Sequence, residues 1–313
     1  MSRAEPTERA AEVPAGSHRA PAVETPIHRF LAEFAENPIA VGALGLFMLI
    51  VALAVAAPWI APQNPYDLAQ VDILDARLVP GTPSSTGTFT HWLGTDGAGR
   101  DLVSGILYGL RISLFVGVAS GLIAMALGSA IGLVATYAGG RIETLVMRLV
   151  DLQLSFPAIL VALMLIAVLE KGVDKIVIAL VTVQWAYYAR TVRGSALVES
   201  RKEYVSAARC LGLSHSRIVF RHILPNCLPP IIVVATVQTA HAISLEATLS
   251  FLGVGLPQTE PSLGVLIANG FEYMLSGKYW ISFFPGLALL LTIVSINLVG
   301  DQLRDVLNPR LKR

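Results

Sequence analysis

Apolar residues along this chain gather into long runs separated by shorter polar stretches, and the lengths of the runs decide what they are. A bilayer core about 30 Å thick is crossed by about 20 largely apolar helical residues. Six runs have that character: Ile39–Ile60, Ile112–Ala135, Leu152–Leu169, Ile176–Ala189, Pro230–Leu252 and Ile281–Val299. The fourth is the shortest and is flanked by Asp174 and Lys175. The pattern predicts an all-α polytopic membrane protein with six transmembrane helices, an even number that puts both termini on one side.

The stretches between the runs differ in kind. Residues 1–37 are rich in Ala, Glu, Pro and Arg and hold no apolar core, which predicts a disordered tail. The first apolar run begins at Ile39, too late and too long for the core of a cleavable signal. Between Ala61 and Arg100 stand Pro62, Pro65, Pro80, Pro83, Gly81 and Gly87, so this loop is expected to be extended and irregular, without a folded core. Just after it, Leu102, Val103, Ile106, Leu107 and Leu110 recur on one helical face, suited to a helix lying on the membrane surface ahead of the second span. The expected division is therefore a tail over 1–37, a first span with its loop and interfacial helix over 38–111, a core of five spans over 112–302 containing a long polar loop at 190–225, and a short tail over 303–313.

Composition agrees with a bilayer. Of 313 residues, 54% are hydrophobic and 14% charged, where soluble domains carry about 25% charged residues. Mean hydropathy is +0.64. The net charge of +1 does not point to nucleic acid, but the placement of charge is informative. With the N-terminus inside, only Arg77, Arg100, Arg111, Lys171, Lys175 and Lys278 of the 23 basic residues fall outside. Cytoplasmic flanks collect Lys and Arg, so both termini are expected in the cytoplasm. Cys210 and Cys227 then face a reducing compartment, and they are too few and too close to form a disulfide framework. Neither has zinc-site spacing.

The loop 190–225 carries the clearest local signal. Glu199 to Leu211 contains strong helix formers, Gly212 stops the helix through its tolerance of a left-handed conformation, and Ser214 can cap a second helix through Arg217, Ile218, Val219 and Ile223. Pro225, Pro229 and Pro230 are expected to separate that helix from the fifth span. The result is a helix–Gly–helix hairpin on the cytoplasmic face, either a connecting loop or a docking element for a soluble partner.

These residues resemble a known family. Glu203-Tyr204-Val205-Ser206-Ala207-Ala208-Arg209-Cys210-Leu211-Gly212, continuing to Ile223-Leu224-Pro225-Asn226, is similar to the "EAA" loop of binding-protein-dependent ABC import permeases. Ala207, Ala208, Gly212, Leu224 and Pro225 match its pattern, while Ser206 stands at the Glu position and His222 at the Ile position. From about Phe30 to the end the chain resembles the C-type subunit of dipeptide, oligopeptide and nickel permeases, through His91-Trp92-Leu93-Gly94-Thr95-Asp96-Gly97-Ala98-Gly99-Arg100-Asp101, Leu249-Ser250-Phe251-Leu252-Gly253, Phe284-Pro285-Gly286 and Gly300-Asp301 with Arg304-Asp305 and Asn308-Pro309-Arg310. Gln258-Thr259-Glu260-Pro261-Ser262-Leu263-Gly264 diverges from that family's Gln-Pro-Pro ahead of Pro-Ser-Trp-Gly.

The resemblance implies a type I ABC importer permease fold in a bacterial cytoplasmic (inner) membrane. The implied partners are a homologous second permease subunit, two ABC ATPase subunits and a periplasmic or lipoprotein solute-binding protein, with membrane lipid around them. It also implies that Glu203, Ala207, Ala208, Gly212, Leu224 and Pro225 couple the chain to the ATPases. No G-x-x-x-x-G-K-[ST] phosphate loop occurs in the sequence, so ATP and Mg are expected to be bound by partner chains, and no catalytic residue or metal cluster is assigned to this one.

Polar groups inside the runs are candidates for a path. The fifth run carries Gln238, His241, Ser244, Glu246 and Thr248. Charged groups at the centre of a bilayer cost roughly 2.5–3.5 kcal/mol on insertion scales, so they face a cavity, a partner or another helix. Gln238, His241 and Glu246 are candidate path residues, or else helix–helix hydrogen bonders. A rival class, an ion-coupled secondary transporter, would use Glu246 and His241 as a proton relay. Gly117, Gly121, Gly128 and Gly132 make one small-residue stripe that predicts close helix packing. Asp151 is expected to pair with Arg148.

Overall fold

A computed structural model describes residues 26–307. The tail over residues 1–25 and the last residues from 308 lie outside the described part. Helices carry the chain: α1 (Pro26–Ala35), α2 (Pro38–Ile60), α3 (Leu102–Ala138), α4 (Gly140–Ser155), α5 (Ala158–Leu169), α6 (Val173–Glu199), α7 (Glu203–Cys210), α8 (His215–Arg217), a π-helical turn over Ile218–Ile223, α9 (Leu224–Phe251), α10 (Leu263–Phe271) and α11 (Trp280–Leu307).

Among the described residues four helical runs are long and apolar enough to cross a membrane: Pro38–Ile60, Leu102–Ala138, His215–Phe251 and Trp280–Leu307. The pair α4–α5 makes a fifth if taken as one span, but it is bent by 91°. The predicted run Leu152–Leu169 straddles that bend. Pro157 forces the residue before it out of the helical region, and Phe156 sits at φ −90°, ψ 141°. The predicted fourth run lies within α6, a 27-residue helix whose sequence includes Gln184, Arg190, Arg193 and Glu199. It need not be apolar all round, because α3, α4, α5 and α9 pack about it.

The glycine stripe on α3 makes that packing possible. A Cβ on Gly132 would stand 2.5 Å from the carbonyl oxygen of Ala189 on α6, and one on Gly128 would meet the Trp185 carbonyl. About three turns before Gly128, a Cβ on Gly117 would stand 2.5 Å from Ile243 on α9. The stripe therefore seats two different helices against one. Around this centre, α2 packs on α3 and α11, and α10 lies between α9 and α11.

Several expectations change. The surface helix before the second span is continuous with α3: Asp101 caps its start by accepting from the Ser104 N–H at 2.8 Å, and Leu102, Leu107 and Leu110 are buried against protein. The prolines at 225, 229 and 230 do not separate the hairpin from the helix that follows. Pro225 lies just after the π-helical turn over Ile218–Ile223, and the helical run continues from His215 to Phe251. Part of the expected disordered tail is helical. α1 buries Phe34 with Ala40 and Val306, and Asn37 Nδ2 donates to Gln302 Oε1 at 2.9 Å. Asp151 pairs with Arg190 rather than Arg148.

The loop after α2 is folded around polar groups. Strands β1 (Thr82–Pro83) and β2 (Thr90–His91) pair antiparallel. His91 is fully buried, its Nδ1 3.1 Å from Asp101 Oδ1 and its Nε2 3.5 Å from Asp75 Oδ2. Gln63 Oε1 accepts from the Asp101 N–H at 2.7 Å. Gly94 takes φ +81°, and a Cβ there would lie 2.6 Å from the Leu78 carbonyl. A polar core of this kind has no hydrophobic pattern, which is why the loop reads as irregular in sequence.

Gly132→Leu sets a side chain against α6 backbone that cannot swing aside. The expected cost is about 1–3 kcal/mol, read as a lower midpoint of thermal unfolding in detergent. Gly45→Ala, where nothing lies within 4 Å of an added Cβ, leaves that midpoint where it is or raises it.

Candidate functional site: the polar hairpin and the side cavity

The chain from Glu203 to Pro225 folds as a hairpin with one face fixed and one face free. α7 ends in a Schellman motif: the Gly212 N–H donates to the Arg209 carbonyl at 3.0 Å and the Leu213 N–H to the Ala208 carbonyl at 3.2 Å. Gly212 has φ +71°, the left-handed value this motif requires, although an added Cβ would meet nothing within 4 Å. Ser214 precedes α8 at the capping position without a side-chain cap hydrogen bond.

Val205, Ala208, Ile218, Val219, Ile223 and Cys227 are buried in one apolar cluster with Leu133 of α3 and Tyr188, Val192 and Ala196 of α6. The hairpin is thus part of the bundle's own core. The adjacent alanines divide: Ala208 faces this core and Ala207 faces outward with Glu203 and Ser206. Leu211, 79% exposed, and Phe220, 57% exposed, stand on the free side. Leu224 is half-buried and Pro225 exposed.

Polar ties brace the base. The Tyr204 hydroxyl donates to Glu199 Oε2 at 2.7 Å, and Lys202 Nζ lies 2.7 Å from Glu199 Oε1. Asn226 Nδ2 reaches both the Tyr204 hydroxyl oxygen at 3.2 Å and the His222 carbonyl at 2.8 Å. Burial raises the pKa of the Glu199 carboxyl, but hydrogen bonds from Lys202 and Tyr204 outweigh it and hold the group below the usual carboxylate range. Tyr137, at the end of α3, is 2.7 Å from His215 Nδ1 and carries the Arg209 guanidinium over its ring at 5.6 Å. The ends of α3, α6 and α9 are therefore all tied to α7 and α8. The sequence motif does not single out Tyr137, Glu199 or Asn226, because their roles depend on contacts across the hairpin.

A cavity of about 850 Å3 opens beside α6, α9 and α11, lined by Tyr187, Thr191, Pro229, Pro230, Gln238, Asp301 and Arg304 among others. Gln238 is 6% exposed, and its Nε2 has no hydrogen-bond partner. Asp301 and Arg304 belong to a stretch noted in the sequence only as a motif. His241 is exposed and does not line the cavity. Glu246 is fully buried between α3 and α9, accepting from Ser113 Oγ at 3.0 Å and Ser250 Oγ at 2.8 Å. The structure separates the three candidates into a cavity residue, a surface residue and a helix-packing residue, and among the described residues no hydrogen bond joins His241 to Glu246.

Long apolar helices beside a side cavity, with a two-helix projection built into their core, describe a multi-pass membrane protein. The chain belongs to the family of binding-protein-dependent transport system inner membrane components, whose model matches residues 124–313. Residues 25–80 match the N-terminal transmembrane domain of oligopeptide transport permease C. The di/tripeptide transport system permease protein DppC of Pseudomonas aeruginosa is 38% identical over 94% of this chain and 98% of its own length. The dipeptide transport system permease protein DppC of Escherichia coli is 38% identical over 94% of this chain and 96% of its own. A solved structure of the MetNI methionine ABC transporter, in an inward-facing conformation, superposes with a TM-score of 0.54 at 19% identity, covering 65% of this chain and 96% of that one, and shares the fold.

Tyr204→Phe removes the hydroxyl that joins α7 to Glu199 and Asn226. It is expected to loosen α7 by about 1 kcal/mol, seen as faster amide hydrogen exchange over residues 203–210. A carboxyl held low contributes stability above its unfolded pKa and loses it as pH falls through the folded value. The same segment of the wild type is therefore expected to exchange faster, after correction for intrinsic rates, below the usual carboxylate range, and Glu199→Gln to remove that pH step.

Proposed function

We propose that this chain is one of two homologous permease subunits in an ATP-driven, solute-binding-protein-dependent importer of di- and oligopeptides. The observation that carries the reading is the hairpin: a projection fused to the bundle through Val205 and Ala208, with Ala207, Leu211 and Phe220 left free. A small outward alanine beside an exposed leucine suits a groove on a partner, and the shared core makes the projection a lever rather than a loop. Partner ATPases bind ATP and Mg and press on Glu203, Ala207, Gly212 and Pro225. The chain itself catalyses nothing. The peptide substrate is inferred from the names of the curated relatives.

In this reading both termini are cytoplasmic, in a bacterial cytoplasmic membrane, as the distribution of Lys and Arg favours. A solute-binding protein delivers peptide from the other side. The side cavity is this chain's half of the path, with the Gln238 amide offering a donor to a passing peptide carbonyl. Closure of the ATPases moves the two hairpins, and the ends of α3, α6 and α9 move with them. A proton relay through Glu246 gains no support from a carboxyl already held by two serine hydroxyls.

Ala207→Asp and Gly212→Val alter the free face and the turn without touching a membrane span. The expected result is loss of peptide uptake by about tenfold or more, with the variants inserted at wild-type levels but the ATPases recovered poorly or no longer stimulated by loaded binding protein. Normal recovery together with normal stimulation would refute the docking role.

A further inference from the structure

A second cavity, of about 430 Å3, lies where the loop after α2, the start of α3, the start of α6 and the loop before α10 meet, and it shares no lining residue with the cavity that holds Gln238. Arg111 lines it and immediately precedes the apolar stretch from Ile112. That position is the level of a membrane interface, where aromatic rings collect and long basic side chains reach for headgroups. Tyr66 and Tyr108 form its wall, edge to face at 5.4 Å and 78°. Below Arg111, Phe115, Val118 and Leu122 follow at helical spacing with 59, 43 and 54% of their surfaces exposed, a stripe that suits an acyl chain.

The decisive group is Glu260. It lines the same cavity, and among the described residues none donates to its carboxylate. A carboxylate without a protein donor, at a cavity that also holds a cation, suits a donor supplied from outside the chain. Burial and then the nearby Glu260 charge raise the pKa of the Tyr66 hydroxyl, while Arg111 pulls it down, so both charges act across this one pocket.

We propose that this pocket holds the headgroup of a zwitterionic phospholipid bearing a primary ammonium, with the phosphate on Arg111, the ammonium on Glu260 and one acyl chain along Phe115, Val118 and Leu122. A primary ammonium fits because it offers N–H donors to the Glu260 carboxylate, and a trimethylammonium has none. Arg111 supplies a fixed cation to the phosphate. The inference needs only that the chain spans a membrane and stands apart from the peptide-import reading.

The test uses the intact transporter, purified with the chains that accompany it and placed in bilayer discs of equal phosphatidylethanolamine and phosphatidylcholine, with retained lipid counted by native mass spectrometry as detergent strips the annulus. Wild type is expected to keep phosphatidylethanolamine over phosphatidylcholine. Glu260→Gln is expected to lower that preference by about tenfold, the loss of one charge-assisted hydrogen bond, and Arg111→Gln to lower retention of both lipids, with unfolding midpoints in detergent matching wild type. Equal retention of the two lipids by wild type would overturn the proposal without any variant being needed. So would displacement of the retained lipid by a saturating dipeptide, which would reassign the pocket to solute.

Discussion

The structure depends on how closely α3 can approach its neighbours. In lipid, helices gain nothing by hiding apolar surface from one another, so their association rests on van der Waals contact and on hydrogen bonds. Here Gly128 and Gly132 bring α3 onto the α6 backbone, and Gly117 brings it onto α9. Removing the side chain on one helix lets backbone meet backbone. That contact frees α6 from the need to be greasy, and a helix containing Gln184, Arg190 and Arg193 can then sit among four others.

From that centre the constraint passes outward without a joint. Leu133 of α3 and Tyr188, Val192 and Ala196 of α6 belong to the cluster that takes in Val205 and Ala208 of α7 and Ile218, Ile223 and Cys227 beyond it. Close-packed interiors transmit displacement because they have little free volume to absorb it. Gly212 lets the chain reverse direction between α7 and α8, while Tyr204, Glu199 and Asn226 stop the base from splaying. Rigidity is distributed over the whole hairpin, and the free face needs no partner to hold its shape.

Much of this was legible in the sequence, and the misses have physical causes. Runs of apolar residues announce a helix that faces lipid, so α2, α3, α9 and α11 stood out. A helix surrounded by protein loses that signature, which left Ile176–Ala189 as a fragment of the longer α6. Pro157 marked a break inside an apolar run that length alone could not reveal, whereas Pro229 and Pro230 sit within a continuous helix. Gly212 was readable because its conformation follows from a local rule. The bracing residues Tyr137, Glu199 and Asn226 were not, since each acts on a residue distant in the chain. Glu246 was legible as costly, but only the fold shows that Ser113 and Ser250 satisfy it.

The folded loop between α2 and α3 bears on the order of assembly. Its buried His91 is held by Asp101, and the same carboxylate caps the first turn of α3, so one residue belongs to both units. Asp101 is synthesised after nearly all of the loop it anchors. Until α3 begins to form, His91 and Asp75 remain hydrated and the loop has no apolar pattern with which to collapse on its own. Its closure is thus contingent on the second membrane helix being started in register, and a mis-inserted α3 would leave forty residues of unfinished loop in water. The loop's polar core and the start of α3 thus share one carboxylate and close together.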